Sequence, residues 1–222
     1  MKRTIASIAA TIVAIAIAIA SSTAPAGVQQ SANFKAPVPG SVYVYRYVIR
    51  LGDETRNQQI TSTVLQDRSP YKGVPVYRVR SVVEQTGKKP VTVVQVYRLK
   101  DGNRVAHIDV QGSVLAEYVP HNAQFVWPIS VGKKWSRNYE VRSKGRSKKI
   151  SLPIIRVVAR EIVKVSAGTF QTFRIVSKRK ANTTTFWYAP KLGVIVKYAN
   201  TNGAKEPEVY GAFLELLKYK RP

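Results

Sequence analysis

The chain has 222 residues, with 36 Lys and Arg against 12 Asp and Glu and a formal charge of +24. It contains no cysteine, which excludes disulfide frameworks, thiolate-bound zinc and thiol nucleophiles. Its length suffices for one domain with a sizeable core.

Residues 1–26 read as a secretory signal peptide. Lys2 and Arg3 form a charged start, residues 5–20 an apolar run thick with Ile and Ala, and Ala24-Pro25-Ala26 an A-x-A cleavage site. The run is short for a spanning helix, which needs about 20 residues; left uncleaved, it would be an anchor. Removing Lys2 and Arg3 with this segment lowers the formal charge by two, to +22. For a periplasmic or secreted protein the available polyanions are lipid headgroups and acidic envelope polymers, not nucleic acid. The charge is spread along the chain, so the plainer reading is a solvated coat.

Residues 27–40 are polar and Pro-bearing and read as a linker, leaving 41–222 as a single β domain. From there the pattern is strand after strand. Residues 41–51 alternate Tyr43, Tyr45, Tyr47 and Ile49 against Val42, Val44, Arg46 and Val48. Residues 57–66, 74–84, 91–100, 104–110 and 113–119 follow, with turns at Asp101-Gly102-Asn103 and Gln111-Gly112. Residues 120–135, with two Pro and two Trp, read as a packed loop. Residues 138–143, 150–165, 169–179, 183–188 and 194–200 continue, and an Asn202-Gly203 turn leads to a final segment, 208–219, read as a strand with a short helix as the alternative.

No long helical period and no repeat of 20–50 residues is present. Strands at this spacing imply an antiparallel β fold. Residues 41–51, 91–100 and 186–198 are apolar on both faces, which a one-sided sheet does not require. A strongly curved sheet, a half-barrel or open barrel whose concave face lines a cavity, explains them; a two-sheet sandwich is the alternative. The cavity reading selects Tyr43, Tyr45, Tyr47, Trp187 and Ile195 as ligand-binding candidates for a lipid or other amphiphile. Residues 189–193 read as a five-residue hairpin loop, pairing Tyr188 with Val194, Phe186 with Val196 and Trp187 with Ile195.

Three blocks have a recognisable order: residues 127–135 (WPISVGKKW), 165–170 (VSAGTF) and 187–198 (WYAPKLGVIVKY). They resemble bacterial exported proteins of unknown function, the TapB-like and neighbouring uncharacterised domains, over roughly residues 120–200. Ser166 and Ile129 depart from the usual Pro and Leu. The resemblance implies an antiparallel β fold akin to the half-barrel of lipoprotein carriers, and no known reaction. The motif residues Trp127, Gly132, Trp135, Gly168, Phe170, Trp187, Tyr188, Pro190 and Gly193 read as turn and core positions.

Catalytic and metal signals are sparse. His107 and His121 are the only histidines. Alternation puts His107 and Asp109 on one strand face, the minimum for an envelope hydrolase, but no nucleophile elbow or second metal-spaced His accompanies them. No metal site or cofactor is expected. Arg142, Lys144, Arg146 and Lys148 recur at period two: on a continuous strand they make a basic stripe, with Gly145 as a turn a basic hairpin tip. Either could contact an anionic envelope polymer or membrane surface peripherally, or simply discourage edge pairing.

Overall fold

The computed structural model describes residues 31–179, 181–202 and 210–222. The signal-peptide segment and most of the turn after Asn202 lie outside them. Two short strands, β1 (Ser31–Ala32) and β8 (Ile129–Ser130), pair with each other. The remaining strands close into one antiparallel ring of twelve. In chain order these are β2 (Val42–Leu51), β3 (Glu54–Val64), β4 (Val76–Gln85), β5 (Val91–Arg98), β6 (Arg104–Ile108), β7 (Val114–Asn122), β9 (Lys134–Ser143), β10 (Arg146–Val165), β11 (Gly168–Arg179), β12 (Asn182–Ala189), β13 (Val194–Asn202) and β14 (Tyr210–Lys220). Residues 210–219 of the final segment are therefore strand, and residues 208 and 209 lie outside the described residues. The curved antiparallel sheet expected from sequence is present, and it curls far enough to close.

The ring follows chain order except that β9 pairs with β7, because β8 leaves the wall. The seam joins β14 to β2, from Tyr210↔Leu51 to Lys220↔Val42. Up-and-down order puts the β2–β3, β4–β5, β6–β7, β9–β10 and β11–β12 turns at one end, the far end. The β3–β4, β5–β6, β10–β11 and β12–β13 turns lie at the near end.

Residues 31–40, expected as a linker, instead pack across the near end. Ala32 pairs with Ile129, and both are buried. Phe34 lies 6.4 Å from the Tyr77 ring and 5.5 Å from the Trp127 ring. The polar composition of the segment concealed these anchors. Inside the ring they continue into a core of Phe125, Ile129, Trp135, Ile155, Phe173 and Tyr188.

Apolar residues on the outer face have a separate cause, since segments fold over the wall. Tyr71, between β3 and β4, packs against Val76, Val96, Val105 and Ala106. The tip of the β10–β11 hairpin reaches β14: the Ala167 N–H donates to the Leu216 carbonyl at 3.1 Å, and the Ser166 N–H to Glu215 at 2.8 Å. Val163 and Val165 are buried in the same cluster as Val196 and Leu216, with Trp187 packed against it.

The β12–β13 register differs from the expected one. The observed pairs are Ala189↔Val194, Tyr188↔Ile195, Trp187↔Lys197 and Phe186↔Tyr198. The loop is one residue shorter at its N-terminal side, and a bulge between Trp187 and Tyr188 shifts the register again. Tyr188 and Ile195 consequently share the inner face.

The β12–β13 turn locks onto the N-terminal strap. Gly193 has φ +75°, and a Cβ there would lie 2.8 Å from the Lys35 carbonyl oxygen. Gly145, at φ +74°, has no neighbour within 4 Å of such a Cβ. Gly145→Ala should cost about 1 kcal/mol, the left-handed penalty alone. Gly193→Ala should cost about 2–3 kcal/mol, because the strap must also move. Urea unfolding of the two variants measures the difference; equal losses would mean the strap contributes nothing at this turn.

Candidate ligand cavity

The core fills only part of the ring. The rest is a cavity of about 510 Å³, within the range of small-molecule sites. Its walls come from β2 to β5, β13 and β14, and its near end is closed by Phe34, Pro37, Phe125 and Trp127. Strand alternation explains the lining: Tyr43, Tyr45 and Tyr47 point inward, as do Ile60, Ser62 and Val64 on β3 and Val79, Ser81 and Val83 on β4. The Ser62 and Ser81 hydroxyls satisfy each other across the strands at 2.9 Å.

Of the five ligand candidates, Tyr43, Tyr45, Tyr47 and Ile195 line this cavity and Trp187 does not. Trp187 faces outward. Its indole N–H donates to Glu161 at 2.6 Å, and the Lys197 ammonium lies 5.2 Å from its ring centroid. Tyr188 lines the cavity with a buried hydroxyl that has no hydrogen-bond partner, and burial raises its pKa. Among the other motif residues, Trp127 donates to the Asp101 carbonyl at 2.8 Å and Trp135 is buried in the core. Gly132 and Gly168 sit in turns with φ +88° and +130°, Phe170 packs beside Tyr219, and Pro190 lies in the β12–β13 turn.

The β5–β6 wall is polar, and sequence alternation did not find it. Arg104 lines the cavity. Its guanidinium lies 5.7 Å from the Tyr97 ring centroid and 5.6 Å from that of Tyr118. One Nη donates to His107 Nε2 at 2.7 Å. A guanidinium only donates, so His107 must accept through Nε2 and carry its proton on Nδ1, which faces the Tyr118 hydroxyl at 3.5 Å. Arg137 stands near, with burial and the Arg104 charge both lowering its pKa. The Nε atoms of Arg104 and Arg137 are buried without an acceptor. Among the described residues, the ion pairs all involve other cations, and no acidic residue lines the cavity. Two ring faces offer a cation about 0.5–2 kcal/mol each, whereas withdrawing an ion from water costs several kcal/mol. The aromatic contacts therefore do not balance the charge.

The remaining candidates are not brought together. Asp109 caps the β6–β7 turn by accepting from the N–H groups of Gln111 and Ser113 at 3.0 and 2.8 Å. It is not a partner of His107, so the pair required for the hydrolase reading does not form. Arg142, Lys144, Arg146 and Lys148 occupy a hairpin rather than a continuous stripe. Arg142 lies opposite Ser147 and Lys148 opposite Val141, so these two cations take opposite faces. Arg142 is moreover paired with Glu140 at 2.8 Å.

No family model matches the chain, and no curated protein matches it. The likeness to TapB-like domains therefore rests on the three sequence blocks. Among solved structures, a "putative exported protein with YmcC-like fold" from Bacteroides fragilis NCTC 9343 superposes with a TM-score of 0.52 at 17% identity, covering 86% of this chain and 100% of that one. At that identity the likeness shows a shared fold. A "putative lipoprotein" from Parabacteroides distasonis ATCC 8503 gives a TM-score of 0.49 at 14% identity over the same shares.

Burial, followed by the Arg104 charge, pushes the His107 pKa down from 6.5 to about 4. The unfolded chain then binds a proton at this site that the folded chain refuses, in the window between those values. Stability should fall as pH drops from about 6.5 to about 4, and this contribution should level off below that. His107→Gln, which keeps an acceptor for Arg104, should flatten part of the acid slope in denaturant midpoints. An unchanged slope would show that His107 titrates normally.

Proposed function

We propose that this protein is an exported cell-envelope protein that binds the apolar part of a lipid or similar amphiphile inside its barrel. The cavity carries the reading: about 510 Å³ lined mainly by aromatic and aliphatic side chains. The N-terminal charged, apolar and A-x-A order supports export, as does the likeness in fold to the exported protein of Bacteroides fragilis. Binding at this site needs no cofactor.

A neutral fluorescent probe, N-phenylnaphthylamine, should bind saturably and be displaced by phospholipid. Val79→Phe, which fills the cavity, should weaken the probe by about tenfold or more, a loss of roughly 1.4 kcal/mol. Trp187→Ala should leave binding unchanged, because that indole lies outside. Absence of saturable binding, or indifference to Val79→Phe, would return the lining to ordinary core.

A second reading concerns how an amphiphile would arrive. The far end combines exposed Leu51, Val91, Val110, Val114 and Leu115 with the cations of its turns, Lys88, Lys89, Lys144 and Arg146. Apolar tips flanked by cations suit peripheral contact with an anionic membrane, where each basic group contributes about 1 kcal/mol. Changing those four cations to Gln should remove most binding to anionic vesicles. The same change at Lys164, Lys191, Lys218 and Lys220, towards the near end, should matter less. Equal losses would indicate a diffuse coat.

A further inference from the structure

The cavity lining is mostly apolar; Ser62 and Ser81 satisfy each other, and its charged part is the wall formed by β5 and β6. There Arg104 projects a guanidinium between the faces of Tyr97 and Tyr118. His107 takes one of its hydrogens, and Nε–H has no acceptor. Gln95 lines the same wall with its carbonyl occupied by the Tyr97 hydroxyl at 2.9 Å, which leaves its amide hydrogens as further donors. The wall thus presents donors and positive charge with no acid among the described residues to answer them, and Arg137 adds to the local potential. We infer that the occupant is an anionic amphiphile whose carboxylate or phosphate head binds at Arg104 while its tail lies along Ile60, Val79, Val83 and Leu214. This rests on the amphiphile reading above and names the head group.

The chemistry favours an oxyanion in particular. A guanidinium presents parallel N–H groups that match the two oxygens of a carboxylate or phosphate. Two aromatic faces and His107 hold the guanidinium plane in place before any ligand arrives, so little ordering remains to be done on binding. His107 cannot supply the counter-charge. As an acceptor from Arg104 it is neutral, and protonating it would place a second cation beside the first. Arg104 is half-buried, so salt screens it less than the exposed charges of the outer surface.

Displacement of N-phenylnaphthylamine by decanoate, decyl phosphate and decanol, at neutral pH and matched chain length, tests this. In the unmodified protein at least one anion should compete about tenfold or more better than decanol, and the preference should persist at high salt. The ranking of the two anions identifies the head group. Arg104→Gln should bring anions and alcohol within about twofold while leaving decanol unchanged, and Arg104→Lys should retain part of the preference. Lys148→Gln, which removes an outer charge, should change nothing. Equal competition by all three compounds in the unmodified protein would overturn the inference and leave the amphiphile reading intact; that comparison needs no variant to fold. Survival of the full preference in Arg104→Gln would overturn it as well. Failure of all three to displace bound probe would remove both readings.

Discussion

The width of the barrel is the constraint on which the rest depends. Eight strands enclose about as much space as their own inward side chains fill, and wider rings leave an interior that must be plugged, occupied or wet. Twelve strands close here, with inner faces rich in tyrosine, valine and isoleucine. Leaving those faces in water would forfeit about 25 cal/mol for each Å² of apolar surface. The chain meets this in two ways. On the β9–β12 side, β8 and its flanking loop drop inside and bring Phe125, Trp127 and Ile129 against Ile155, Phe173 and Tyr188. On the β2–β5 side no comparable element of the described residues enters, and the cavity remains.

The same constraint accounts for the N-terminal strap. A plug inserted from one end needs something to hold it there. β1 pairs with β8 directly, Phe34 packs on Trp127, and the Lys35 carbonyl presses against Gly193. The strap therefore ties the plug to the β5–β6 and β12–β13 turns. The first barrel strand pairs with the last, β2 with β14, and that seam closes the ring.

Much of this was legible in the sequence, because period-two patterning reports strands and two-sided patterning reports a wall covered on both faces. Tyr43, Tyr45 and Tyr47 point inward as their alternation requires. Most failures come from register, which alternation cannot fix. The shorter β12–β13 loop pairs Ile195 with Tyr188 at the cavity and leaves Trp187 outside. Shifts between Arg104 and Ala106 and between His107 and Ile108 put Arg104 and His107 together, although strict alternation assigns them to opposite faces. The polar wall was invisible for that reason, while of His107 and Asp109, which alternation joined, Asp109 leaves the strand to cap the β6–β7 turn. The strap was missed on composition: three anchoring side chains among polar neighbours do not form a periodic pattern.

The chain's charge has two different physical meanings depending on where it sits. Most of its cations project into solvent, where a Debye length of about 8–10 Å screens them and single pairs contribute little. Seven of the twelve acids pair with cations other than Arg104: Glu54 with Arg56, Asp67 with Arg78, Asp101 with Arg98, Glu117 with Lys72, Glu140 with Arg142, Glu161 with Arg174 and Glu215 with Arg46. Arg104 is treated in the opposite manner. It is drawn into a wall where water is scarce, and it is held by ring faces and a neutral imidazole. A long cationic side chain placed inside only by compositional excess would extend its head to solvent, since its stem is flexible and its hydration is worth more than two aromatic contacts. Arg104 is instead fixed at the boundary between the polar wall and the apolar cavity, so among the described residues the cavity's charged wall carries positive charge alone.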